Sequence, residues 1–230
     1  MYEIGKYKQK DSMSDLISQN YPILLVINRF GFTYGFADKT IGEVCAENNV
    51  DTLTFLAIVN LLIDEDEINI NQMEYNYLSI PCLIYYLRNS HNYFLEFKLP
   101  AIRKQLIDAI DVAENKVGLL IIKYYDQYVA EVRKHMVYEE KKVFPYIENL
   151  LKGQNSLNYN INTYSKQHDK VEAKLSELKD IIIRYYSSKS TNLLSAVLFD
   201  IFGCTKDLAS HNYIEDFLLV PAIRMLEVKK

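Results

Sequence analysis

HMVYEEKKVFP runs from His135 to Pro145, and HNYIEDFLLVP runs from His211 to Pro221. Both read His, three residues, Glu, five residues, Pro, in a chain that owns only four histidines. On an α-helix, residues four apart lie one above the other on the same face. With about 100° of turn per residue, Ile121, Tyr128, Val132, Val143 and Leu150 form an apolar stripe beside His135. Glu139 falls in the middle of that stripe. Around His211 the stripe is Val197, Cys204, Leu208, Leu219, Ala222 and Leu226, with Glu215 in its middle. A carboxylate inside a hydrophobic stripe is costly to bury unless it is paired or bound to a metal.

Working outward, the chain from about Tyr75 reads as four long helices, each holding one histidine. They run from about Tyr77 to Asp111 through His91, Asn115 to Leu151 through His135, Ile161 to Tyr186 through His168, and Asn192 to Leu226 through His211. Gly153 and its polar neighbours mark a loop between the second and third. Short connections predict an up-down-up-down four-helix bundle, so the fold class is all-α. His91 sits on the stripe Ile80, Ile84, Leu87, Leu95, Leu99, Ile102 and Leu106, and the position one turn later is Leu95, so its helix offers a lone histidine. On the third helix Glu172 follows His168 by four. The stripe there is Val171, Leu175, Leu178 and Ile182, and Glu172 lies about 90° from its centre, which reads as a surface residue.

The inward set is therefore His91, His135, Glu139, His168, His211 and Glu215. A lone inward histidine is commonly a hydrogen-bonded core residue; four of them, one per helix, with two paired glutamates, point to a site. Six nitrogen and oxygen ligands exceed a tetrahedral zinc site. They suit two iron ions, with manganese as the lesser alternative, bridged by two carboxylates and an oxo or hydroxo group, with two imidazoles on each metal. Ferritin-like sites place Glu three residues before His, and no histidine here has that neighbour. Glu131 and Asp207, one turn before His135 and His211, are candidates to hold the far imidazole nitrogen or to line a proton or ion path; a solvated helix charge is the plainer reading of each.

Composition sets limits on function. At 230 residues, 49% hydrophobic and 24% charged, the chain is globular, and scarce Gly and Pro favour long helices. A formal net charge of −4 without a basic tract disfavours nucleic-acid binding. No stretch reaches a membrane span and no signal-peptide core opens the chain. Three scattered cysteines, Cys45, Cys82 and Cys204, suggest neither a disulfide framework nor a thiolate zinc site, and predict a reducing cytoplasm. From Ser14 to about Ile63, short apolar runs between turn-like FGFTYG and ENNVDT predict three or four short helices, and IDEDEINI follows as an acidic linker. The domain division is 1–70 for the small helical front part with its linker, and 75–230 for the bundle.

Lone histidines on the first and third helices and HxxxE on the second and fourth, with EEKKVFPYIE after His135, resemble hemerythrin-like domains. Oxygen-carrying hemerythrins use five histidines, one more than this chain contains. Four histidines and two glutamates instead resemble the repair-of-iron-centres (RIC) family. RFGFTYGFADKTIGEVCAENNVD (Arg29 to Asp51) is similar to that family's short N-terminal domain, except that Gly35 and Phe36 stand where the family has adjacent cysteines; Cys45 keeps the later cysteine position. The resemblance implies a cytoplasmic non-haem di-iron protein that answers nitrosative or oxidative stress and helps restore damaged iron–sulfur proteins, its clients, by donating iron. It implies terminal ligation by His91, His135, His168 and His211 and bridging by Glu139 and Glu215. The alternatives are an enzyme that reduces NO or peroxide at the same centre, and a module that reversibly binds O2 or NO. A homodimer is compatible with either.

Overall fold

The structure, a computed structural model, describes residues 6–63, 75–110, 116–154, 159–164, 169–187 and 191–228, apart from the side chains at positions 163, 169–173 and 176. The acidic linker expected after Ile63 lies outside these residues, and so does His168. The described residues are helical, without named strands. The chain divides into two compact units: Met1–Ser90, Ile147–Ile161 and Tyr213–Lys230 form the first, and His91–Tyr146 and Asn162–Asn212 the second.

The first unit opens with four short helices, α1 (Met13–Gln19), α2 (Ile23–Arg29), α3 (Ile41–Glu47) and α4 (Thr52–Ile63). Polar side chains start α1, α3 and α4. Ser12 caps α1, and Thr40 with Glu43 forms a capping box at α3. Asp51 accepts from the backbone N–H of Thr54 at 2.8 Å. The apolar faces close on a cluster of rings in which Phe30 meets Phe32, Phe55 and Tyr86 at centroid distances of 5.8, 5.5 and 5.1 Å. Buried polar groups tie the chain ends together. The Asn60 amide accepts from the Tyr7 N–H at 2.9 Å and donates to the Tyr7 carbonyl at 3.0 Å.

The long helices follow. The first is α5 (Ile80–Asn92) continuing through a π-helical segment, Tyr93–Lys98, into α6 (Leu99–Ala109). The second is α7 (Lys116–Tyr138), a π segment Glu139–Val143, and α8 (Phe144–Leu151). It ends in a Schellman turn, with Gly153 at φ +80°, Gln154 N–H on the Asn149 carbonyl and Gly153 N–H on the Leu150 carbonyl. The third, α9 (Asp169–Tyr185), begins later than the Ile161 start expected from sequence; Ile161–Thr163 is instead a single 3-10 turn. The fourth is α10 (Thr191–Ile214), a π segment Glu215–Leu219, and α11 (Val220–Val228).

The three π segments share one cause. Pro100, Pro145 and Pro221 each stand two residues past a π segment. A proline inside a helix lacks an N–H, and its ring clashes with the carbonyl four residues back. The residue just before each proline answers by bonding five residues back: Leu99 to the Phe94 carbonyl, Phe144 to Glu139, and Val220 to Glu215. Helix α9 contains no proline and stays α-helical throughout.

In the second unit four helices enclose a core that draws Leu99, Ile102 and Leu106 from α6, Ile121, Tyr125 and Tyr128 from α7, Leu175, Leu178 and Ile182 from α9, and Val197, Ile201 and Leu208 from α10. Polar contacts align the helices around it. Arg103 meets Asp126 at 2.7 Å, Lys98 meets Asp200 at 2.5 Å, and Lys174 on α9 pairs with Glu131 on α7. The buried Tyr125 hydroxyl donates to the Leu99 carbonyl at 2.8 Å. Among the described side chains the predicted stripes are therefore the buried ones, although Ile80 and Leu226, at the ends of theirs, are only partly covered; Val171 lies outside the described side chains.

Candidate metal centre

Histidines 91, 135 and 211 occupy equivalent places, each in the last turn of α-helix before a π segment. Glu139 and Glu215 are the first residues of their π segments. Each lies one turn after its histidine, so each acid and imidazole project from one face. Both glutamates are completely buried at 0% exposure, and His91 and His211 are buried as well.

Within the second unit the structure brings four of the six expected residues together: His91, His135, Glu139 and His211. One ligand atom from each of His91, Glu139 and His211 falls within 4.8 Å of the others. The His91 and His211 rings meet edge to face, with centroids 5.1 Å apart. Glu139 is shared. Its Oε2 lies 2.9 Å from His91 Nε2 and its Oε1 lies 2.8 Å from His135 Nε2. His135 thus joins through the opposite oxygen of the same carboxylate. His168 and the Glu172 side chain lie outside the description.

Burial alone would push the Glu139 carboxyl up. The His135 and His91 imidazoles, whose Nε2 atoms lie 2.8 and 2.9 Å from its two oxygens, outweigh it and hold the carboxyl well below the usual carboxylate range. Glu139 therefore stays an anion in a dry setting, with an imidazole nitrogen facing each of its oxygens. A metal cation would meet the same demand. The donor set is imidazole nitrogen and carboxylate oxygen with no thiolate among the converging groups, which suits iron or manganese and fits poorly with metals that select sulfur.

Aromatic rings wall the centre. Phe144 stacks on His91 at 5.6 Å and 9° between planes, and Phe94 meets His211 edge-on at 5.9 Å. Two polar neighbours were not singled out from sequence. The buried Tyr164 hydroxyl donates to Glu139 Oε1 at 2.8 Å, and its ring lies parallel to that of His135. Glu140 Oε1 lies 2.9 Å from His91 Nδ1. Of the two acids proposed as supporting residues, Glu131 takes Lys174 as its partner, and Asp207 is buried one turn before His211.

The first unit offers little thiol chemistry. Gly35 has φ +104°, a conformation that strains any residue with a Cβ, and Phe36 beside it is buried. Burial, the largest influence, pushes the Cys45 thiol up to about 12. No described helix is long and apolar enough to cross a membrane.

Residues 82–223 match the family described as Hemerythrin HHE cation binding domain. No curated protein matches the chain.

Proposed function

The chain belongs to the hemerythrin HHE cation-binding family, and from that premise we propose that it is a non-haem di-iron protein of the repair-of-iron-centres kind. In this reading it works in the cytoplasm during nitrosative or oxidative stress and restores damaged iron–sulfur proteins by giving up iron. The observation that carries the di-iron reading is the shared carboxylate. Glu139 presents one oxygen to His91 and the other to His135, as a group bridging two cations must. His91, His211, Glu139 and Glu215 would hold one ion. His135 and His168, with the same two acids, would hold the other.

Bound iron would supply Lewis acidity and one-electron chemistry; the side chains supply the rest. Imidazoles and carboxylates grip iron less tenaciously than thiolates would, which favours transfer over permanent storage. The Phe94 and Phe144 rings limit water at His211 and His91. The Tyr164 hydroxyl restrains Glu139 without adding charge. The raised thiol of Cys45 argues that the metal centre, rather than a cysteine of the first unit, does the work.

The test is direct. Iron-loaded protein is incubated anaerobically with an iron–sulfur dehydratase inactivated by NO. Recovery of dehydratase activity, absent with Glu139→Ala, is the expected result. Catalytic consumption of NO or peroxide with no recovery would replace repair with reduction, and reversible binding of O2 or NO with neither activity would replace it with a binding module.

A further inference from the structure

His91 has no acid of its own. One turn later its helix offers Leu95, a side chain with no polar group to hold an imidazole nitrogen. The ring is clasped from the neighbouring helix instead. Glu139 Oε2 lies 2.9 Å from Nε2, and the next residue, Glu140, places Oε1 2.9 Å from Nδ1. Consecutive side chains on a helix diverge by about 100°, and the two imidazole nitrogens face different directions, so adjacent carboxylates take both. Phe144, stacked on the ring, limits its rotation.

We propose that Glu140 is the positioning residue for His91 in the metal centre. This rests on the reading of that centre as a metal site. By accepting Nδ1–H, Glu140 fixes the tautomer whose Nε2 lone pair is offered beside Glu139, and it makes that nitrogen a better donor. Its side chain is 34% exposed while that of His91 is 3% exposed. Glu140 therefore stands in partial contact with water and directs a ligand that is sealed from it. Glu131 is the natural contrast, because its carboxylate is engaged by Lys174.

Ferrous iron alone, titrated anaerobically into the full-length metal-free protein against a chromogenic chelator, is the probe. Glu140→Ala should weaken iron binding about 10–100-fold. Glu140→Gln, whose amide oxygen still accepts Nδ1–H, should fall between Ala and parent. Glu131→Ala should match the parent. In metal-free protein labelled with ¹⁵N-histidine, Glu140→Ala should also move the Nδ1 resonance of His91 while far-UV circular dichroism is unchanged. Parent-like affinity in Glu140→Ala, or a Gln variant as weak as the Ala variant, would overturn the assignment. If Glu140→Ala does not fold, Glu140→Asp decides: it keeps the charge but withdraws the oxygen, so weakened binding supports positioning and parent-like binding overturns it. Full iron retention by Glu139→Ala would instead sink the metal-site reading itself, whereas loss in Glu139→Ala beside parent-like binding in every Glu140 variant sinks only this proposal.

Discussion

Both units bury polar side chains, but for different ends. In the first, buried amides and hydroxyls serve the backbone. Asn60 closes on Tyr7, Thr54 Oγ1 accepts from the Ser79 N–H at 2.8 Å, and Asn89 donates to the Arg29 carbonyl at 2.7 Å. Each satisfies main-chain groups that would otherwise lose water for nothing. In the second, the contacts of Glu139 are with His91, His135 and Tyr164, all of them side chains. Ionisable groups gathered in this way do not serve the backbone. They create a local charge that a cation satisfies. The difference teaches how to sort buried polar residues: those that meet backbone are architecture, and those that meet one another are candidates for chemistry.

That contrast can be broken by experiment. Its strongest consequence is that Glu139→Ala, and His135→Ala likewise, should lower iron content well below that of the parent, measured by metal analysis on protein purified without oxygen. Full retention would place Glu139 among the architectural residues. Next, stripping iron should lower the melting temperature, because it leaves buried carboxylates without their cation. At free iron one hundred times Kd the linkage amounts to about 2.7 kcal/mol, and equal melting of both forms would contradict the scheme. Asn60→Ala should cost about 1–3 kcal/mol in urea unfolding, since both main-chain groups of Tyr7 lose their partner, yet leave iron content untouched. Thr40→Ala, at a more exposed capping box, should cost about 1 kcal/mol. The smallest effect belongs to Glu172→Ala, expected to change neither iron content nor melting; substantial iron loss would show that the straight helical wheel misplaced it.

Much of the centre was legible because its information is local. A histidine and an acid four residues apart share a helix face, so His135 with Glu139 and His211 with Glu215 announce themselves. The four helices are legible for the same reason, through stripes such as Leu175, Leu178 and Ile182. Glu140 and Tyr164 were not, since their contacts cross 49 and 25 residues of sequence and neither residue interrupts a local pattern. Phe144 shows a different failure. Nine residues after His135, it falls at about 180° on a regular helix, on the far side from the histidine. It is nevertheless fully buried, and Val220, nine residues after His211, is likewise buried where a straight wheel turns it away. The π segments account for this: each widens the helix by roughly one residue per turn, so a wheel drawn through Pro145 or Pro221 loses its place.

Helices that pass these prolines are thus written in two phases, offset by about 100°. Shortening the run between Glu139 and Pro145 by a single residue would bring Phe144 to eight residues after His135, about 80° on a regular helix, so the apolar side of α8 would face the core without a π segment. Length in this interval is as much a part of the inheritance as the letters that fill it. A homologous chain with a one-residue gap across it should carry a regular α-helix in place of the π segment.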